Sequence, residues 1–484
     1  MVIETIDNPA TSDQYSSRTV IETALSQLKS RARMYELYHA YYEGVQPLTF
    51  TSDKYDEAFS KMVSKYTENM CPAVVDAVAD RLRVTGFSVD ESKAPTVTSA
   101  AEDIWRRNRM DELAGQVHTE ALKEGDAYVI VWPDVEDTSL IRIWPQDANG
   151  ITCYWDEETN ELEWAAKWWI QDEDKLGRLT LYFPDRIERY ITNSKVNETG
   201  GFVAKATAVH EYAPTIANPY GRVPVFHFAN NARISKWGKS ELQNIIPVQD
   251  ALNKSVCDML VAMEFAAFPQ RWATGIQVKT DPITGRAQQP WKSGVDRLWA
   301  TGAEDASFGQ FEAADLSQYI AAQTRFKEAI ADISGTPQHY IQMASSNQRW
   351  PSGEALKTAE YRFVSKVTDR QISFGNTWED VMSFALSIQN KLPAELTIST
   401  EWQDASPRTD QETASVGVLK QSLGVPQTQI WREMGYSEDD IVRMTAEKQQ
   451  QDEASMQRQV ALFQRGAPGD SGSGGSGSGF GPGN

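Results

Sequence analysis

Apolar residues along this chain change their spacing several times, and each change predicts a change of element. From Ser17 to Tyr42 they fall at Ile21, Leu25, Leu28, Ala32, Tyr35 and Tyr38, the three-and-four spacing of one helical face. Thr19 and Glu22 stand in a capping-box arrangement, and Gly44 is placed to end the helix. A second helix is expected after Pro72, a residue tolerated in a first turn, with Val75, Val78, Ala79 and Leu82 inward and its end before Gly86. A third is expected from about Ala100 to Glu124, stopped by Gly125, with Ile104, Leu113, Val117, Ala121 and Leu122 on its inner face.

Between Asp126 and Phe228 the period shortens. Runs such as AYVIVW, SLIRIW, LEWAAKWWI and RLTLYF alternate with Asp, Asn, Gly and Pro, which predicts a β-rich module inside a helical chain. From Lys239 helical spacing returns at Leu242, Ile245, Leu252, Val256, Met259 and Met263, with Pro247 suited to a first turn and Pro269 marking the end. Gln270 to Ala314 reads as turns and short strands, and Asp315 to Ser334 as a helix closed by Gly335 to Pro337. After a polar loop, Leu356, Ala359, Phe363, Val367, Phe374, Trp378, Val381, Ala385 and Ile388 keep one stripe. At 1.5 Å per residue that helix is roughly 55 Å long. Such length implies either a subunit crossing or a kink, and Gly375 is the expected weak point. Further helices are expected from Asp410 to Phe463, followed by a flexible Gly/Ser tail beyond Gly466.

Composition narrows the classes. The 484 residues are enough for several modules, and 40% hydrophobic with 24% charged residues is ordinary for a folded protein. A net charge of -20 opposes general binding to phosphate backbones or anionic membranes. Cys71, Cys153 and Cys257 are odd in number and widely spaced, so a disulfide framework is not expected. The start MVIETIDNPATSDQY lacks the features of a signal peptide, and no run of 18 apolar residues occurs, so a cytoplasmic site of synthesis and no membrane partner are expected.

Chemistry is sparse. His39, His118, His210, His227 and His339 form no metal-ligand spacing, and no Gly-rich turn carries the Lys and Ser/Thr of a phosphate cradle. No cofactor and no metal are expected. Clusters such as Glu157 and Glu158, or Glu438 to Asp440, read as solvated faces. Asn197 to Thr199 matches a glycosylation acceptor that a chain without a secretion signal does not use. One local feature differs: Thr336 to Ser352 contains no acidic residue but does contain His339 and Arg349. A neutral surface loop and a loop facing an anion are both compatible with it.

From Tyr41 to about Met444 the chain resembles portal proteins of siphophages infecting Gram-positive and actinobacterial hosts. The resemblance rests on Tyr41, Tyr42 and Gly44; Asn69, Met70 and Cys71 before VVDAVADRL; NPYGRVPVFHFANN (218 to 231); GKSEL (238 to 242); QDALN (249 to 253); EFAAFPQRW (264 to 272); and PSGEALK (351 to 357). It implies an α+β, mainly helical portal-type ring subunit: a wing over residues 1–237, a first stem helix over 238–268, a clip over 269–314 and a second stem helix over 315–335. A tunnel loop over 336–352, a long wing helix and strand over 353–404, a crown over 405–465 and the tail over 466–484 complete the order.

The resemblance also implies function: a ring, dodecameric in the family, at one capsid vertex, through which double-stranded DNA is packaged and ejected. The tunnel-loop candidates are His339, Gln348, Arg349 and Trp350. The clip, docking first the terminase large subunit and later head-tail adaptor proteins, offers Arg271, Trp272, Lys279, Arg286, Trp291 and Lys292, while the wing meets major capsid and scaffold proteins. Leu252, Val256, Met259 and Met263 are the stem residues expected to pack between subunits. No catalytic residue is implied, and the expected location is the virion after assembly in the host cytoplasm. Two other readings stay open: a monomeric minor head or adaptor protein, and a carboxylate-dependent nuclease using residues such as Asp126 or Asp185.

Overall fold

The computed structural model describes residues 17–46, 68–89, 95–195, 209–232, 234, 236–267, 271–275, 305–310, 315–341, 353–389, 397–406, 410–434, 436 and 438–465. Among them are eleven helices and twelve strands, a mixed α+β architecture in which helices predominate. Two compact units divide the chain, Met1–Ala405 and Ser406–Asn484.

The first unit opens with α1 (Ser17–Glu43), α2 (Cys71–Ala79) and β1 (Val84–Val89), followed by α3 (Pro95–Arg107) and α4 (Met110–Glu124). The single helix expected from Ala100 to Glu124 is thus two helices. Arg109 adopts a left-handed conformation at φ 55°. Asn108 secures the break: its Nδ2 donates to the carbonyls of Ile104 and Ile141, each at 2.9 Å, and its Oδ1 accepts the Ile143 amide at 3.0 Å. Ile104 and Leu113, nine residues apart, would fall on opposite sides of an unbroken helix, and this shift of the apolar face is the sequence's signal of the corner.

The β-rich stretch forms two sheets. A three-stranded sheet of order β3-β2-β9 uses Ile141–Gln146, Asp126–Pro133 and Val225–Ala229. A five-stranded antiparallel meander, β4 to β8, runs through Ile151–Trp155, Leu162–Ile170, Leu176–Tyr182, Arg186–Lys195 and Val209–Ala217. Helix α1 serves both layers. Val20, Ala24 and Leu28 pack on Trp164, Trp168, Leu179 and Leu181 of the meander, while Tyr38 and Tyr41 enter the main core.

The main core is organised by the long helix α8 (Gly353–Ile388). Phe363, Val367, Phe374, Trp378 and Val381 are buried along one stripe, as the spacing requires. At 36 residues it extends about 54 Å. It is continuous through Gly375, contrary to the expected weak point. That glycine instead admits β12 (Ile398–Trp402), since a Cβ there would lie 3.1 Å from Trp402 Nε1, and its carbonyl accepts the Thr400 hydroxyl at 3.1 Å. β12 pairs antiparallel with β1.

The second unit carries α9 (Asp410–Ser422), α10 (Gln427–Glu433) and α11 (Glu438–Arg465). The Gly/Ser tail lies outside the described residues.

Candidate functional site

Two helices of the first unit, α5 (Ile246–Ala267) and α6 (Ser317–Ser334), pack side by side. The first begins at Ile246, not at Gly238, because residues 241–245 form turns; Leu242 and Ile245 are nevertheless buried. Leu252 and Val256 are buried near its root, Met259 is half-buried and Met263 is 47% exposed. Between the helices stands a ribbon of β10 (Arg271–Thr274) and β11 (Ser307–Gln310). Trp272, 39% exposed, lies across Gly309 on the paired strand, where any side chain would collide with the indole. Arg271 is placed on β10 by its backbone, while Lys279, Arg286, Trp291 and Lys292 lie outside the described residues.

The root of the stem is locked into the sheets. Gly238 touches Gly125, which has φ 97°, so closely that a Cβ at Gly238 would strike the Gly125 carbonyl. Ser240 Oγ donates to the Lys123 carbonyl and accepts the Leu242 amide, tying the GKSEL turn to the end of α4. Glu241 beside it receives Lys366 Nζ at 2.6 Å and Arg370 Nη2 at 2.8 Å, two cations one turn apart on α8. Burial would push the Glu241 carboxyl up, but these cations outweigh it and hold it below the ordinary carboxylate range. Lys366 also donates to the Ser334 carbonyl at 3.0 Å, joining the end of α6 to the same point.

The short motifs converge here as well. Gln249 donates to the Glu68 carbonyl at 2.6 Å and accepts the Met70 amide at 3.0 Å. Tyr41 donates to Asp250 at 2.6 Å, and Asn69 Nδ2 donates to the carbonyls of Tyr41 and Tyr42 at 2.8 and 3.0 Å. Residues some 200 positions apart thereby form one hydrogen-bonded junction between α1, the start of α2 and α5.

The turn that follows α6 is mounted on α8. Gly335, at φ 68°, ends α6, and a single turn, α7 (Gln338–Ile341), leads into residues 342–352. His339 Nε2 meets Glu360 Oε1 at 3.1 Å, and Tyr340 packs on Phe363 with ring centroids 5.7 Å apart. Gln348, Arg349 and Trp350 lie outside the described residues.

The other chemical candidates resolve into structural roles. Asp126 is fully buried with both oxygens occupied: Oδ1 by His227 at 2.7 Å and the Gly238 amide at 2.8 Å, Oδ2 by Arg31 at 2.6 Å and Tyr35 at 2.8 Å. Burial alone would raise its pKa, but the His227 bond and the neighbouring cations bring it down to about 2. Such a carboxylate has no lone pair free for a metal or a substrate proton. Asp185 is exposed and paired with Arg186 at 3.1 Å. His118 is wholly buried, donating from Nδ1 to the Leu82 carbonyl and accepting Trp378 Nε1 at 2.8 Å; burial lowers its pKa to about 4. The three cysteines are free and buried, and burial pushes Cys71 up to about 12. Among the described residues no group of His, Cys, Asp and Glu is arranged for a metal, and no helix is long and apolar enough to cross a membrane.

The family described as "Phage portal protein, SPP1 Gp6-like" matches residues 26–454. The chain belongs to this phage portal protein family. Portal proteins of Mycobacterium phage D29 and Mycobacterium phage L5 are 27% and 26% identical to it over 400 residues, covering 75% of this chain and 75% and 74% of theirs. Among solved structures, chains from the virion of a native gene transfer agent particle and from the neck of an empty particle align at TM-scores of 0.41 and 0.45. Their identities are 13% and 12%, covering 81% and 78% of this chain and 95% and 91% of theirs.

Sequence reasoning missed the residues that build the mount. Glu241 and Arg81 lie inside the motifs GKSEL and VVDAVADRL, which assign them no role, and the signal for Lys366 and Arg370 is an i, i+4 pair of cations on an otherwise apolar-striped helix.

Proposed function

We propose that the chain assembles into a closed homo-oligomeric ring of twelve copies at one capsid vertex, with the stem around a channel for double-stranded DNA. Family membership supports a portal role, and one observation in the chain itself carries the ring. Met259, Leu260, Val261, Ala262 and Met263 are consecutive apolar residues that cover every side of α5, yet all remain half-buried or exposed with α6 as the main neighbour. A helix apolar on all sides belongs in a core, and adjacent copies are the occupants that closed cyclic symmetry supplies.

In this reading the ring acts through geometry, not bond chemistry. His339 braces the tunnel loop against α8, and Gln348, Arg349 and Trp350 face the DNA. Arg271, Trp272, Lys279, Arg286, Trp291 and Lys292 of the clip dock the terminase large subunit and then head-tail adaptor proteins, while the wing meets capsid and scaffold proteins. Assembly takes place in the host cytoplasm, and the second unit forms the crown. Native mass spectrometry and negative-stain electron microscopy of the purified protein test the reading: closed rings are expected, and Met263→Glu should shift the population toward monomer. A strictly monomeric protein at high concentration would remove the ring and favour the monomeric head or adaptor alternative.

A further inference from the structure

Arg81, between α2 and β1, holds three parts of the first unit with one side chain. Its Nη1 donates to the Ala405 carbonyl at 2.6 Å. Its Nη2 donates to the Tyr340 hydroxyl and to Glu360 Oε2, the latter at 3.2 Å. The guanidinium carbon lies 5.1 Å from the Phe363 ring centroid and 5.7 Å from that of Tyr340. Thus α7, the first turns of α8 and the chain exit at Ala405 all meet one cation whose side chain is 15% exposed. The backbone adds to the node, since Gln371 Nε2 bridges the carbonyls of Arg81 and Gln403 at 3.4 and 3.0 Å.

We propose that Arg81 is a positioning residue of the portal. It sets where α7 stands on α8, and thereby fixes the entry into residues 342–352, in register with the exit at Ala405. The inference rests on the reading that this loop faces the channel, but its mechanical content does not depend on DNA. Without Arg81, α7 keeps the His339 to Glu360 contact, the Tyr340 to Phe363 packing and the packing of Ile341 on the main core, but loses its charged anchor, and a helix of one turn cannot persist by itself. A planar guanidinium can serve the Ala405 carbonyl and the Tyr340/Glu360 pair simultaneously; a lysine ammonium on a flexible stem cannot.

Hydrogen exchange read by mass spectrometry on the full-length assembled protein tests this. Arg81→Met should accelerate exchange of peptides spanning 336–341 and 403–406 by about tenfold, as loss of a charge-assisted hydrogen bond predicts. Arg81→Lys should fall between it and wild type, and Tyr340→Phe, which removes only a hydroxyl, should loosen 336–341 alone. Leu82→Ala is the control for general destabilisation: it opens a core cavity beside Arg81 and removes none of the hydrogen bonds that hold α7. Unchanged exchange at 336–341 in both Arg81→Met and Tyr340→Phe, or equal loosening in Leu82→Ala, would overturn the proposal. Because this readout needs no packaging, it can fail while the channel reading stands, or hold while that reading falls.

Discussion

Four donors converge on Asp126, and their consequence is a pH dependence of known sign. Its carboxyl titrates at about 2 in the folded chain and at about 3.9 when unfolded. The stability it contributes is therefore complete above the unfolded value and is lost as pH falls through the folded one, a change of about 2–3 kcal/mol. Asp126→Asn should remove most of that acid limb and lower stability at neutral pH by about 3 kcal/mol, because Arg31 is left buried without its counter-ion. Urea denaturation from pH 2 to 7 checks both expectations. From sequence alone Asp126 was a conceivable catalytic carboxylate. Nothing in its local context announced Arg31, Tyr35, His227 and Gly238, which lie between 91 and 112 residues away. Residue roles set by such distant partners are the least legible part of a single sequence.

Elements were far more legible, since each apolar stripe needs only its own neighbours to be recognised. The stripe from Phe363 to Val381 is the buried face of α8, and the runs between Asp126 and Phe228 are strands, as their periods require. Errors fell where a polar side chain overrides the period. The corner between α3 and α4 is held by Asn108, and the turn before α5 is held by Ser240 and Glu241. Asn108→Ala leaves the buried Ile143 amide without its acceptor, and Ile141 without a donor at its carbonyl. We expect a loss of about 2–3 kcal/mol, measurable as a lowered urea midpoint, whereas Glu157→Ala in the exposed turn between β4 and β5 should change it by less than about 0.5 kcal/mol. Gly375 teaches the complementary point: a glycine inside a long helix marked close approach of β12, not a hinge.

At the scale of the whole molecule, charge is the property that repetition changes most. One chain carries a net charge of -20, and a ring multiplies both that field and every group placed on its axis. A wall poor in contacting cations suits a conduit, because each neutralised phosphate adds affinity that opposes sliding. The portal family was legible because its motifs build the stem root, where Gly238, Ser240, Gln249 and Asp250 meet groups they cannot exchange for others. A channel face would not be legible, because it would come into being only when copies surround an axis, and no period within one chain encodes that. Arg349 is the residue on which the two considerations meet. If it faces DNA, Arg349→Glu places a ring of like charge against the phosphates, and at separations of several ångströms such repulsion is weak per pair but summed over every copy. Ring assembly, read by native mass, should be unchanged, since the substituted position is not part of α5 or α6. DNA packaging should fall by more than tenfold, with Arg349→Gln intermediate and the defect eased at higher ionic strength, where the Debye length shortens to a few ångströms. Packaging at the wild-type rate in both variants would place the acid-free loop away from the DNA, leaving its missing carboxylates a property of a surface and not of a channel.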